Sequence, residues 1–341
     1  MLQLHVWGVD GEISLISPEC LASAWLLSLV FPKNDFEIVT SSNTNISDIN
    51  KLPVLITDDK KLNGFSEIVD FIDGNKFANE SGYWSSRASS PREKLIHSCL
   101  LNLVETRVDV INQYNLYSNT KNYEKYTRKL FQNYFPFPMM YNQPLKFHNN
   151  AVAQVKLLGL SKNKTSFFDF TTTFQEEVAE TEYFNSELSD DEDEEEKEVA
   201  LSSLHEKQLI AKSKTKAALL ESKNSLRCLV LLNHYLQEFI KTFKLLQNEN
   251  ENAFGYLFGG SPSACELLLY AYLHSLSSEK LPDRFVSSYL DLKHEKLVSF
   301  SKEQINNLQK SLSNSSFRPP QGAEIPSLFN EVGYLLGSIK Y

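Results

Sequence analysis

The chain has 341 residues, 42% of them hydrophobic and 12% aromatic, with a formal charge of −9. That is enough for about two domains with a sizeable core, and the composition excludes a disordered protein. The run SDDEDEEEKE at 189–198 supplies −7 of the charge, so the remainder is near neutral and lacks the basic stripe that nucleic-acid binding requires.

The first 72 residues read as an α/β unit. LQLHVWG (2–8) is a strand, followed by a polar turn with Gly8 and Gly11. A helix starts at Ser17, where serine suits the N-cap, Pro18 the first helical position and Glu19 the positive end of the dipole. Strands follow at 36–40 (FEIVT) and 52–57 (LPVLIT), then a short helix with the stripe Phe65, Ile68, Val69, Ile72. Residues 73–89 have linker composition. Ser90-Pro91-Arg92-Glu93 is a capping box that opens an apolar stripe from Ile96 through Cys99, Leu100, Leu103, Val110 and Ile111 to Tyr114. NYEKYTRKLFQNYF (122–135) is a further helix, ended by Pro136 and Pro138.

The segment 176–198 interrupts this helical pattern. Its carboxylates repel one another and bury nothing, which predicts a loop. Two readings stay open for it: a solvated spacer, or a docking site for a basic partner strengthened by phosphorylation at Ser189. Residues 200–248 resume helix in more than one segment, and KSKTK (212–216) is the solvated side of one. Ser263…Glu266 repeats the capping box, and two more helices lie between 284 and 312.

Cys20, Cys99, Cys228 and Cys265 are far apart among apolar neighbours. Neither they nor the seven histidines show metal-ligand spacing, so no metal or cofactor is expected and a reducing compartment is. No leader is visible, and every apolar run falls short of the roughly 18 residues a membrane span needs.

An α/β unit, a linker and an all-helical domain in this order resemble the glutathione-transferase architecture: α+β, with a thioredoxin-like domain (1–72), a linker (73–89) and a helical domain (90–341). Leu52-Pro53-Val54 is placed like the cis-proline of that fold. A closer resemblance runs through 118–147. Its T-K-N-Y-x-x-x-T-R-K segment (Thr120, Lys121, Asn122, Tyr123, Thr127, Arg128, Lys129), followed by Pro136-Phe137-Pro138, is similar to the metaxin signature. VWGVDGEISLISPECLASAWLL and LFGGSPSACELLLYAYLHSL resemble other metaxin segments. The acidic insertion and the HVWG strand look most like the fungal members, the larger peripheral subunit of the mitochondrial sorting and assembly machinery.

That resemblance implies a subunit on the cytosolic face of the mitochondrial outer membrane. Its partners would be a β-barrel insertase, a second metaxin-like subunit, β-barrel precursors and the translocase of the outer membrane. PSLFNEVGYLLGSIKY (326–341) is too interrupted for an anchor, so attachment through partners is expected.

S-P-E-C (17–20) stands where a thioredoxin-like domain would carry C-x-x-C. One cysteine closes no disulfide, and Cys20 lies on the apolar side of the helix, so packing is its expected role. Ser17 is either an N-cap or the hydroxyl that some transferases turn on glutathione. Such a site also needs an acid or amide followed by serine at the start of the short helix after the fourth strand, whereas this chain reads Gly64-Phe65-Ser66. Phenylalanine leaves a charged substrate end unpaired, so transferase activity is not expected. Phe135–Met140 stays open between packing and an exposed partner surface, with Phe137, Met139 and Met140 as its candidates.

Overall fold

The computed structural model describes residues 1–74, 82–86, 89–160, 203–246, 255–313 and 315–339. Strands β1 (Leu2–His5), β4 (Phe36–Val39), β5 (Val54–Ile56) and β6 (Lys61–Asn63) form a mixed sheet whose β1 is parallel to β4 and antiparallel to β5. Leu4 is paired with both Ile38 and Leu55, and all three are fully buried. Helices α1 (Pro18–Val30) and α2 (Gly64–Gly74) pack on this sheet. The order β6-β5-β1-β4 and the cis Leu52–Pro53 bond are those of a thioredoxin-like unit.

The strand read at 2–8 stops at His5 and turns into a hairpin, β2 (Gly8–Val9) with β3 (Glu12–Ile13). The central residues Asp10 and Gly11 both have positive φ, 51° and 78°. An Asp-Gly pair supports that type I′ geometry, whose twist matches the flanking strands.

The helical layer begins at α3 (Pro91–Leu103), whose capping box is formed: Glu93 N–H donates to Ser90 Oγ at 3.3 Å, and Ser90 N–H to Glu93 Oε2 at 2.9 Å. The chain continues through α4 (Asp109–Gln113), α5 (Thr120–Asn122) and α6 (Arg128–Tyr134), joined by π-helical turns at Val104–Val108, Tyr114–Ser118 and Tyr123–Thr127. Each π turn rotates the face that follows it. Leu100, Ile111 and Tyr114 of the expected stripe are buried, together with Leu101, Val104 and Val108, while Cys99, ahead of the first π turn, is exposed.

After α7 (Met139–Leu157) come α8 (Ser203–Leu246), α9 (Ala264–Leu276), α10 (Phe285–Lys293) and α11 (Glu295–Leu312). Within the described residues 203–246 the expected break does not occur. α8 holds neither glycine nor proline and is one helix of 44 residues, about 66 Å long at 1.5 Å per residue. All of α9 except His274 is buried, and α1 packs against it. The Glu266 carboxylate takes the N–H groups of Ser263 and Leu257, both at 2.9 Å.

An all-helical reading after residue 90 fails at one point. The chain returns to the first sheet as β7 (Ser316–Arg318), parallel to β4, and makes it five-stranded. Arg318 holds this strand by Glu37 (3.2 Å) and Glu324 (2.8 Å). A short helix, α12 (Leu328–Leu335), follows. Part of the expected linker is also anchored: Trp84 stacks on Phe258 at 4.3 Å, and Asp73 accepts from the Tyr83 and Ser85 hydroxyls. The acidic segment 176–198, including Ser189, lies outside the described residues.

Candidate functional site

Cys20 is fully buried, and burial pushes its thiol up to about 12. A thiol so far from ionising is packing, not a nucleophile. Ser17 sits at the N-cap with extended backbone, but its hydroxyl makes no capping bond. It meets the Cys20 thiol instead, and the Ser17 carbonyl accepts Cys20 N–H at 3.1 Å. The expected capping role therefore falls to the main chain.

Beside this turn, where a transferase holds its peptide, the side chains are engaged within the chain. Phe65 is fully buried. Ser66 Oγ donates to Glu105 Oε2 at 2.6 Å, so its hydroxyl is committed to the helical layer. Glu19, almost wholly buried, pairs with Lys51 Nζ at 2.8 Å. Asp109 accepts from Tyr272 Oη at 2.9 Å. Burial pushes the Glu19 carboxyl up to about 7, opposed by Lys51 and reinforced by Asp109 and Glu105. Desolvation likewise raises Asp109. Although desolvation works against it, the three acids hold the Lys51 ammonium above its usual pKa. These contacts join the two layers across the cleft, and among the described residues its charged groups are paired within the chain.

The metaxin-like segment has a structural centre. Asn122 is fully buried; its amide donates to Asn115 O (3.0 Å) and Asp283 O (3.1 Å), and its Oδ1 accepts Asp283 N–H at 2.7 Å. Thr120 N–H donates to Glu221 Oε1 on α8 at 2.8 Å, and Thr127 Oγ1 to Leu116 O at 2.7 Å. Tyr123 packs half-buried against the His148 ring at 4.5 Å. Lys121, Arg128 and Lys129 are exposed. One segment thus fixes three others on its inner side and shows cations outside.

Its aromatic end closes on the first domain. Trp7, just past β1, lies 5.5–6.0 Å from the rings of Phe131, Tyr134, Phe135 and Phe147. Phe131 stacks on Phe147 at 5.5 Å with 9° between planes. Edge-to-face and offset contacts of this kind favour a rigid junction. Packing therefore accounts for most of 131–147. Of the three candidate surface residues, Phe137 is 77% exposed, but Met139 is 2% exposed and belongs to the core, and Met140 is half-buried against it. The helical periodicity of α7 turns Met139 inward and brings Tyr141 out beside Phe137, ring to ring at 6.2 Å. Pro136 is exposed and Pro138 half-buried.

The Glu19–Lys51 pair, the Asn122–Asp283 contact and exposed Tyr141 escape sequence reasoning, the first two because partners 32 and 161 positions apart leave no local pattern. The spacing of Leu328, Val332 and Leu335 is legible as a helical stripe, yet it faces outward with Phe329 and Leu336. Among the described residues no helix is long and apolar enough to cross a membrane.

Two family models match this chain. Residues 20–148 match one described as an outer mitochondrial membrane transport complex protein, and residues 184–339 match the Tom37 C-terminal domain. A Drosophila melanogaster protein named Metaxin-1 homolog is 26% identical over 155 residues, 46% of this chain and 45% of the relative, so the match spans under half of that relative's length. Glutathione S-transferase III in apo form aligns with 94% of this chain and 99% of its own at 14% identity and a TM-score of 0.42. The two matched ranges take in most of the sequence and include the signature at 120–138. The chain belongs to the metaxin-like family of outer mitochondrial membrane transport complex proteins.

Proposed function

We propose that the chain is a non-catalytic subunit of the outer-membrane β-barrel assembly machinery. In this reading it is peripheral on the cytosolic face, held by a β-barrel insertase and a second metaxin-like subunit. It supports insertion, folding and release of β-barrel precursors and couples their arrival to the translocase of the outer membrane.

One observation carries the proposal: the cleft that would take a thiol peptide is filled from within. Phe65 stands where an acid or amide is needed, Ser66 is tied to Glu105, and Glu19 is neutralised by Lys51. Opening that cleft would strand a buried carboxylate. Surface recognition is what remains, and the exposed Phe137–Tyr141 pair has the half-apolar, half-polar character that suits an interface.

The test is association. Replacing Phe137 and Tyr141 together by aspartate should lower recovery of the insertase with the tagged chain at least tenfold, the loss of two aromatic anchors at an interface. Thermal unfolding should be unchanged, because both side chains are exposed. Full recovery of the insertase by the double variant would remove this surface from the proposal. Purification of the wild-type chain without any outer-membrane partner would remove the proposal itself.

A further inference from the structure

The outward face of α8 is the surface the fold leaves least explained. Toward the body the helix buries Cys228, Leu232, Leu236, Phe239 and Phe243. On the opposite side, helical spacing aligns Lys212, Lys216, Leu219, Lys223, Leu226 and Val230 in a stripe about 27 Å long. All six are exposed; Leu219, Leu226 and Val230 are 67%, 65% and 68% exposed. Three large aliphatic groups in one open row invite a cover.

The charge of the stripe narrows the choice of cover. Of the carboxylates on α8 from residue 212 onward, Glu221 is turned inward to Thr120 (2.8 Å) and Glu238 pairs with Lys241 (2.7 Å). Among the described residues of α8 neither carboxylate lies in the row with Lys212 and Lys223. The Glu221 contact also sets α5 beside the helix, with exposed Lys121 next in sequence to Thr120.

We infer that this face rests on an anionic lipid surface, with Leu219, Leu226 and Val230 entering the interface and Lys212 and Lys223 meeting headgroup phosphates. A narrow apolar row bordered by lysines is the pattern of helices that lie in an interface. Lysine stems lie along such a row while their ammonium groups reach outward, and an anionic leaflet attracts each of them. A second copy of the helix is disfavoured because like charges would face each other across the contact. An acidic protein segment would satisfy the lysines but leave the aliphatic row uncovered. This inference rests on the membrane location proposed above.

Vesicle flotation of the full chain tests it. The chain should float with phosphatidylcholine vesicles containing phosphatidylinositol and stay down with phosphatidylcholine alone. K212E/K216E/K223E and L219S/L226S/V230S should each cut the floated fraction about tenfold or more, with circular dichroism unchanged. Equal flotation with neutral vesicles, no flotation at all, or indifference to both triple variants would overturn the lipid face. So would self-association of the wild type that both variants abolish, since the row would then be a contact between copies. The assay uses the chain alone, so its failure leaves complex membership intact. A chain that floats yet purifies without partners counts only against the proposed subunit role.

Discussion

Trp7→Ala is expected to destabilise the chain by about 3–5 kcal/mol, the range for removing a large buried aromatic side chain. That is a large share of the roughly 5–15 kcal/mol available to a folded domain. The indole is 6% exposed and is surrounded by Phe131, Tyr134, Phe135 and Phe147, all from the helical layer. Its deletion leaves a cavity where the end of β1 meets the signature segment. The surrounding rings are fixed by their own stacking, as in Phe131 on Phe147, so collapse into the gap is limited and the cost stays high. Trp7→Phe keeps one ring and should lose less than half as much. Denaturant midpoints of the two variants, read at constant slope, check this; a loss below about 1 kcal/mol in the alanine variant would mean that the junction is held elsewhere.

Lys51→Met carries the second large effect. Glu19 keeps a carboxyl in a site that is 3% exposed, and without the ammonium at 2.8 Å it has no opposite charge. Breaking a buried pair from one side costs about 3–5 kcal/mol. Because Lys51 is half-exposed, about 2–3 kcal/mol is expected.

The pH dependence has a definite sign. Burial raises the Glu19 carboxyl from its ordinary 4.5 up to about 7 in the fold, so the folded state binds the extra proton between these values. Stability therefore falls as pH rises from 4.5 through 7 and is flat beyond. In Lys51→Met the carboxyl moves higher still. The loss should be largest near pH 8 and shrink toward pH 5, where Glu19 is protonated in both proteins. Glu19→Gln should flatten the slope of the wild type. Melting temperatures measured across that range decide the matter. A deficit in Lys51→Met that is independent of pH would show that packing of the lysine stem, not charge, is what the substitution removes.

The thioredoxin-like unit was legible because its signals are local. Ser90…Glu93 and Ser263…Glu266 announce helix starts within four residues, Leu52-Pro53 marks the cis position, and the Phe65–Ile72 stripe lies within two turns. The exposed Phe137 could be named for the same reason. Met139, two positions on, could not be separated from it, because the side it faces depends on the phase of α7 after Pro138. The π turn at Val104–Val108 obscured the part of the stripe after Leu103, since it resets a count that assumes 3.6 residues. β7 was invisible for another reason: three residues of strand carry no period, and their meaning comes from Arg318 finding Glu37 across 281 positions. The closed cleft is a half-legible case. Phe65 and the lone Cys20 argued from sequence against thiol chemistry, but only the fold brings Glu19, Lys51, Glu105 and Asp109 together.

Calorimetric titration of the purified chain with glutathione, beside the Ser17→Ala variant, addresses the closed cleft most directly. The expected result is no binding heat at millimolar ligand for either protein. Saturable binding by the wild type that disappears in Ser17→Ala would contradict it, because the hydroxyl now held against the Cys20 thiol would then be serving a ligand.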